Sequence, residues 1–262
     1  MNFINITPEN IRELDIYHQF RDKAFTSDDS FIADSPKVVN LILAQNLHIR
    51  SILATSEYYE KNFELIKDKN IPKLFVATKE TMQNIVGHKI HHNVMMHGTR
   101  PKHSSIEELG DSIIMLDEIS STQNIGSIAR SAVAIGVGSY ILPNHGPHPY
   151  SRRALRVSMG HISMLKTLLY DDIEQMIVEL KSRGYYIYGA EVTPTSTPLS
   201  QVKVKKKWVL LMGHEGYGLS SEVISLCDEI VTIEMMQGVK SFNVAVAASI
   251  IMYQFKVSST KV

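Results

Sequence analysis

Short, wholly apolar runs alternate along the chain with stretches whose apolar residues recur every three or four positions, the pattern of strands alternating with helices. Ser35-Pro36 opens a helix, since proline suits the first turn, and Val39, Leu41, Ile42 and Ala44 supply its apolar positions. Ile49–Ala54 then reads as a strand, Glu57–Lys67 as a helix, Lys73–Ala77 as a strand and Asn93–His97 as a further strand. Polar, turn-forming Gly98–Ser105 marks a domain boundary.

Beyond it, Ser112–Leu116 is an apolar strand and Ile125–Val137 a helix rich in small residues. Tyr140–Leu142 reads as a strand, Ile173–Arg183 as a helix, Tyr185–Ala190 as a strand and Pro194–Pro198 as a loop. Trp208–Met212 is apolar throughout and stops at Gly213, the mark of a strand buried on both faces. A helix at Leu219–Leu226, a strand at Ile230–Ile233 and a helix at Val244–Phe255 complete the chain. Five or more strands separated by helices predict an α/β fold with a mostly parallel sheet, because parallel strands need long crossovers. Two domains are expected, residues 1–105 and 106–262.

Composition narrows the partners. With 44% hydrophobic and 21% charged residues, the 262-residue chain reads as an ordinary globular protein. Its 27 basic and 27 acidic residues cancel, so any nucleic-acid contact must come from local clusters. The lone Cys227 rules out an internal disulfide and a multi-cysteine metal site. No run approaches the roughly 20 apolar residues of a membrane span, and Met1 to Glu9 does not read as a leader. A cytoplasmic protein is the expectation.

Three segments carry polar residues and glycines where apolar strands end, the place where open α/β sheets bind ligands. The first is Asn124-Ile125-Gly126-Ser127-Ile128-Ala129-Arg130, in which Asn124 can cap a helix. Arg130 lies on that helix, on a face read as shared with Ile128, Ala132 and Val133. The second is Gly213-His214-Glu215-Gly216-Tyr217-Gly218, whose three glycines imply a tight turn and whose Glu215 such a turn does not require. Its spacing fits neither a Walker loop nor the dinucleotide fingerprint. The third runs from Ile233 through Met235, Ser241, Phe242 and Asn243 into the last helix, with Ser241 as N-cap.

Taken in this order, the three segments resemble the signature motifs of the SpoU (TrmH-like) branch of the SPOUT RNA methyltransferases. Asn124, Gly126, Arg130, Ala132 and Gly136 match the first; Gly213, Glu215, Gly218, Leu219 and Ser220 the second; Ile233, Met235, Ser241, Asn243, Val244 and Ala247 the third. Arg156-Val157-Ser158-Met159-Gly160 resembles an intermediate segment. Ser121-Thr122 stand where Asp-Pro is common, His214 where Asn is usual, Glu234 for a frequent proline and Phe242 for a frequent leucine.

The resemblance implies a C-terminal SPOUT domain tied in a deep trefoil knot, working as a homodimer with the active site at the subunit interface. It implies transfer of a methyl group from S-adenosylmethionine to a ribose 2'-hydroxyl of RNA. Gly213, Ile233 and Phe242, with Met212, Gly218 and Met235, would bind the cofactor. Arg130, Asn124, Glu215, Ser241 and Asn243 would form the catalytic set, Arg130 acting as base or as electrostatic stabiliser. Phe31–Asn46 and Ile49–Thr55 resemble a ribosomal-protein-like RNA-binding domain, which tilts the substrate toward ribosomal over transfer RNA. Arg152, Arg153 and Arg156, with Arg100 and Lys102, are the expected RNA contacts, whereas the lysines from Lys203 to Lys207 read equally as solvated surface. The histidines between His88 and His103 include an i, i+4 pair, His88 and His92, but lack the carboxylate pattern of a zinc helix. Two other readings stand beside this one: an RNA-binding module that retains the fold without catalysis, and a hydrolase, which would lack its phosphate loop.

Overall fold

The computed structural model describes residues 2–7, 11–18 and 28–259. The reading of the opening segment therefore falls partly on residues 1, 8 and 9, which lie outside the described residues. Contacts divide the chain into two units, Met1–Lys102 with Pro149–Ser163, and His103–His148 with Met164–Val262.

The first unit holds β1 (Phe3–Asn5), β2 (Ser30–Asp34), α1 (Pro36–Leu43), β3 (Ile49–Ala54), α2 (Ser56–Lys61), α3 (Phe63–Ile66), β4 (Lys73–Val76), α4 (Lys79–Val86) and β5 (Val94–Thr99). Its sheet runs β1-β4-β3-β5-β2. The strand β5 is antiparallel to both neighbours, so this sheet is mixed. Leu14, Tyr17, Ile32, Leu53, Phe75, Met82 and Met95 build one core.

Where a single helix is predicted over 57–67, the chain breaks at Asn62. There the Asn62 side-chain amide donates to the Tyr58 carbonyl at 2.8 Å and accepts from Asn40 at 2.7 Å. An asparagine that bonds its own turn competes with the helix ladder.

A continuous second domain after residue 105 is not what the contacts draw: Pro149–Ser163 packs with the first unit. This excursion contains α6 (Arg152–Val157). Arg152 Nε and Arg156 Nε donate to the buried Asp34 carboxylate at 2.7 and 3.0 Å, and Tyr150 packs edge-on against Phe31. Burial alone would push the Asp34 pKa up, but the two guanidiniums outweigh it and hold the carboxyl below its ordinary range. Both guanidiniums and the carboxylate they pair with thus lie in the first unit.

The second unit is built on a seven-stranded sheet, parallel throughout its paired strands. In chain order it contains β6 (Ser112–Leu116), α5 (Thr122–Ile135), β7 (Ser139–Pro143), β8 (Lys166–Tyr170), α7 (Ile173–Ser182), β9 (Tyr186–Ala190), β10 (Thr197–Pro198), β11 (Trp208–Met212), α8 (Ser221–Leu226), β12 (Glu229–Thr232) and α9 (Val244–Ser259). The order across the sheet is β10-β12-β9-β11-β6-β7-β8.

Ile113, Met115, Ile187, Val209 and Leu211 face Ile177, Leu180 and Val223 of α7 and α8. On the opposite face, Phe255 of α9 meets Trp208 and Tyr188 edge-on at 5.1 and 4.8 Å. Both faces are covered, as an all-parallel sheet requires. Met212 pairs with Leu116 on one side and Ala190 on the other, so β6, β9 and β11 end at one level. The loops that follow them emerge together. Among the described residues, no helix is long and apolar enough to cross a membrane.

Candidate functional site

The turn after β11 is closed by two backbone bonds, His214 N–H to the Gly218 carbonyl at 3.1 Å and Gly218 N–H back to His214 at 3.0 Å. A Cβ on Gly213 would lie 2.4 Å from the Gly218 carbonyl carbon, so only glycine permits this approach. The Glu215 carboxylate then reaches across to the loop after β6. It accepts from the Ser120 and Ser121 backbone N–H groups at 3.2 and 3.1 Å, and from the Asn124 amide at 2.9 Å. Burial pushes the Glu215 pKa up, but these donors prevail and hold the carboxyl below its ordinary range.

Asn124 passes the connection on. Its side-chain oxygen accepts from the Asn243 amide at 3.2 Å, and the Asn243 oxygen accepts from Ala245 N at 2.9 Å and Val246 N at 3.3 Å. Glu215, Asn124 and Asn243, one from each sequence segment, thus form a single polar chain. The caps differ from expectation. Ser121, not Asn124, caps α5, because its hydroxyl sits three residues before the free Asn124 N–H. Asn243, not Ser241, caps α9 for the same geometric reason.

Beside this chain lies a cavity of about 270 Å³. Gly213, Ile233, Phe242, Met212, Gly218 and Met235 all line it, together with Glu215 and Ser241. Among the other lining residues, Glu191 and Tyr217 had no role in the sequence reading. Glu191 was findable in principle, being the first residue after the predicted strand ending at Ala190. Its carboxylate accepts from Leu219 N at 3.0 Å and Val192 N at 2.8 Å. Glu191 also dictates Gly218: a Cβ there would lie 1.9 Å from Glu191 Oε2, at a backbone φ of +68°. We expect Gly218→Ala to cost roughly 1–3 kcal/mol through this clash and the left-handed backbone. The loss is read as a melting temperature lower by several degrees, and a variant that melts with the parent refutes the account.

Arg130 stands apart. It is exposed on α5 and, among the described residues, has no hydrogen-bond or ion-pair partner. It does not share the face of Ile128 and Ala132, which are fully buried; two residues along a helix turn about 200°, placing Arg130 opposite Ile128. Its stripe is instead Gln123, Ser127, Arg130 and Ala134, the polar or small side of the helix.

Arg100, Lys102, Arg152, Arg153 and Arg156 all belong to the first unit. Arg152, with 10% of its side chain exposed, is committed to Asp34, whereas Arg153 and Lys102 are exposed. The Lys207 ammonium lies 4.1 Å from the Tyr185 ring centroid and donates to the Arg183 carbonyl, a surface arrangement. The helical spacing of His88 and His92 loses its premise, because α4 ends at Val86 with Gly87 as its left-handed cap. Burial holds the His97 pKa down at about 4. Among the described residues, no group of three His, Cys, Asp or Glu side chains is arranged to hold a metal ion.

Residues 111–253 match the SpoU rRNA Methylase family. A protein of Staphylococcus haemolyticus named for the TrmH family of tRNA/rRNA methyltransferases is 32% identical over 142 residues, covering 54% of this chain and 57% of the relative. The chain thus matches little more than half the length of that relative. Among solved structures, the SpoU methyltransferase AviRb from Streptomyces viridochromogenes, in complex with AdoMet, superposes with a TM-score of 0.82 at 21% identity, over 97% of this chain and 99% of that one. A structure described as an RNA 2'-O ribose methyltransferase gives 0.78 at 17% identity, over 99% and 100%. At these identities the structural likeness is one of fold. The family match takes in the three loops joined by Glu215, Asn124 and Asn243, and the chain belongs to the SpoU rRNA methylase family.

Proposed function

We propose that this chain transfers a methyl group from S-adenosylmethionine to a ribose 2'-hydroxyl of structured RNA, ribosomal rather than transfer RNA. The observation that carries this reading is the polar chain Glu215–Asn124–Asn243, which ties three distant segments together beside a cavity that the second and third of them line. All six expected cofactor contacts line that cavity. The residues fit the cofactor chemically. Met212, Ile233, Met235 and Phe242 offer apolar surface, Gly213 and Gly218 expose main chain, and Glu191 supplies a carboxylate for a cationic ligand. AviRb, of the same fold, holds AdoMet.

When bound, S-adenosylmethionine supplies an electrophilic methyl carbon on a sulfonium. The protein's task is to place the ribose oxygen, whose proton passes to solvent water as the new carbon–oxygen bond forms. A guanidinium with a pKa above ~12 is a poor proton acceptor. Arg130 therefore acts as a charged donor, stabilising negative charge that develops on the oxygen. Asn124 and Glu215 fix the loops, and Ser241 and Asn243 border the site.

The same reading includes a homodimer with the active site at the subunit interface. Its support is that Arg130 does not line the cavity of its own chain. In addition, α9 exposes Val246, Ile250 and Tyr253 at i, i+4 and i+7, an apolar stripe. A trefoil knot at the two loops is supported by α9 leaving the strand β12 and returning to pack on α5 and β11. The first unit is proposed as the RNA-binding domain, with Arg100, Lys102, Arg153 and Arg156 as contacts, and the cytoplasm as its place of work.

The test is mapping of 2'-O-methylation in RNA from cells with and without this protein. A single mark that vanishes without the protein and resists alkaline cleavage is expected. Methyl transfer to a base contradicts the 2'-hydroxyl, and RNA binding without any transfer favours a non-catalytic binding module.

A further inference from the structure

His214 and Tyr217 form a stacked pair at the rim of the cavity, with ring centroids 4.7 Å apart and planes inclined by 23°. The imidazole is held in place: His214 Nδ1 accepts from Gly216 N at 2.9 Å and Tyr217 N at 3.3 Å. Accepting at Nδ1 leaves Nε2 to carry the ring proton of the neutral form. The turn beneath is locked by its two backbone bonds and by the Glu215 clamp. Yet Tyr217 is 89% exposed. One ring face rests on His214, and the rest of this large side chain meets water.

We propose that the His214–Tyr217 pair is a stacking platform for an unpaired nucleobase of the RNA, adjoining the ribose to be methylated. The inference rests on the RNA methyltransferase reading above and deepens it by naming the form of RNA the site takes. A rigid, solvent-facing aromatic plane loses little conformational freedom when a base lies on it. Unstacked bases are the part of RNA that aromatic side chains recognise, because paired bases present only their edges. Phosphate is a poorer occupant here, since the adjoining carboxylates Glu191 and Glu215 would repel it. A base on this platform must be splayed from its helix, so the site selects a loop, bulge or single strand.

The experiment measures anisotropy of a labelled oligouridine of about twelve nucleotides and of an RNA duplex of similar length, with S-adenosylmethionine saturating. Tyr217→Ala is expected to weaken single-strand binding about tenfold, as loss of one base–aromatic stack does. Tyr217→Phe should remain within about twofold of the parent, because the ring face is kept. Duplex binding should not move in either variant, and the calorimetric Kd for S-adenosylmethionine, whose cavity Tyr217 also lines, should change far less than the single-strand affinity. Parental single-strand affinity in Tyr217→Ala overturns the platform, as does a proportional loss of donor affinity, which would mean a collapsed loop. A parent that transfers labelled methyl to RNA while Tyr217→Ala transfers equally well sinks the platform alone. A parent that neither binds RNA nor transfers methyl sinks both readings.

Discussion

Arg130→Ala will lower methyl transfer by roughly 10²- to 10³-fold in kcat, equivalent to about 3–4 kcal/mol of transition-state stabilisation. Stability and donor binding should stay at parental values. The structural reason is direct: Arg130 is exposed and has no hydrogen-bond or ion-pair partner among the described residues, so its removal breaks neither kind of bond there. It does not line the cavity either, so S-adenosylmethionine should bind with an unchanged Kd. Arg130→Lys should recover only a small part of the rate, because an ammonium is a point charge and cannot present the planar fork of the guanidinium. Thermal melting, donor titration and single-turnover transfer on the same preparations separate these effects. Turnover near the parental rate would remove Arg130 from the reaction.

Glu215→Ala should do the opposite, damaging the pocket as well as the rate. One carboxylate serves Ser120, Ser121 and Asn124, and Asn124 in turn holds Asn243 at the start of α9. Removing it leaves the buried Asn124 amide without its acceptor and frees the turn that carries Gly213. Because Glu215 is itself open to water, the stability loss is discounted to about 1–2 kcal/mol, a few degrees in melting temperature. Donor affinity should fall by more than about tenfold, since the main chain that would contact it is no longer fixed.

The pH dependence follows the same bonds. Glu215 has a folded-state pKa below its ordinary value. Its contribution is therefore complete above the ordinary glutamate range and disappears as pH falls through the lower, folded-state pKa. Glu215→Gln lacks this contribution at every pH, so the melting gap between parent and variant should close on acidification from near neutrality. A gap that widens toward acid contradicts the clamp.

The parts of the fold legible in the sequence were those decided locally. Ser112–Leu116 and Trp208–Met212 are apolar without interruption, and each is a central strand of the parallel sheet. The strand β2 was not assigned from the sequence, since polar Ser30 and Asp34 bound a run of only three apolar residues. Asp34 is buried only because Arg152 and Arg156, far along the chain, bring it compensating charge. The strand β8 begins with Lys166 and lies in a stretch without clear periodicity. Cap assignments failed for a similar reason: several polar residues crowd each helix start, and register alone decides which oxygen meets a free N–H.

The site divides in the same way. Its loops were legible because glycines between apolar strands leave a dense mark, and Gly213, Glu215, Gly218, Ile233, Met235 and Ser241 of the second and third motifs line one cavity. What each polar group binds was not legible. Ser121 departs from the common family pattern, yet its N–H, together with that of Ser120, holds Glu215. Backbone donors do not depend on side-chain identity, so a substitution that looks like a loss leaves the clamp whole. Tyr217 passed unnoticed because a tyrosine in a glycine-rich turn carries no pattern of its own. Its exposure appears only in three dimensions.

On the function proposed above, the turn at 213–218 and the segment 233–243 together hold the methyl donor. Crystals grown with S-adenosylmethionine, or with its demethylated product, test this directly. Ligand density is expected between those two loops, against Gly213, Ile233 and Phe242. Density elsewhere on the molecule, or an empty cavity at saturating ligand, would contradict it.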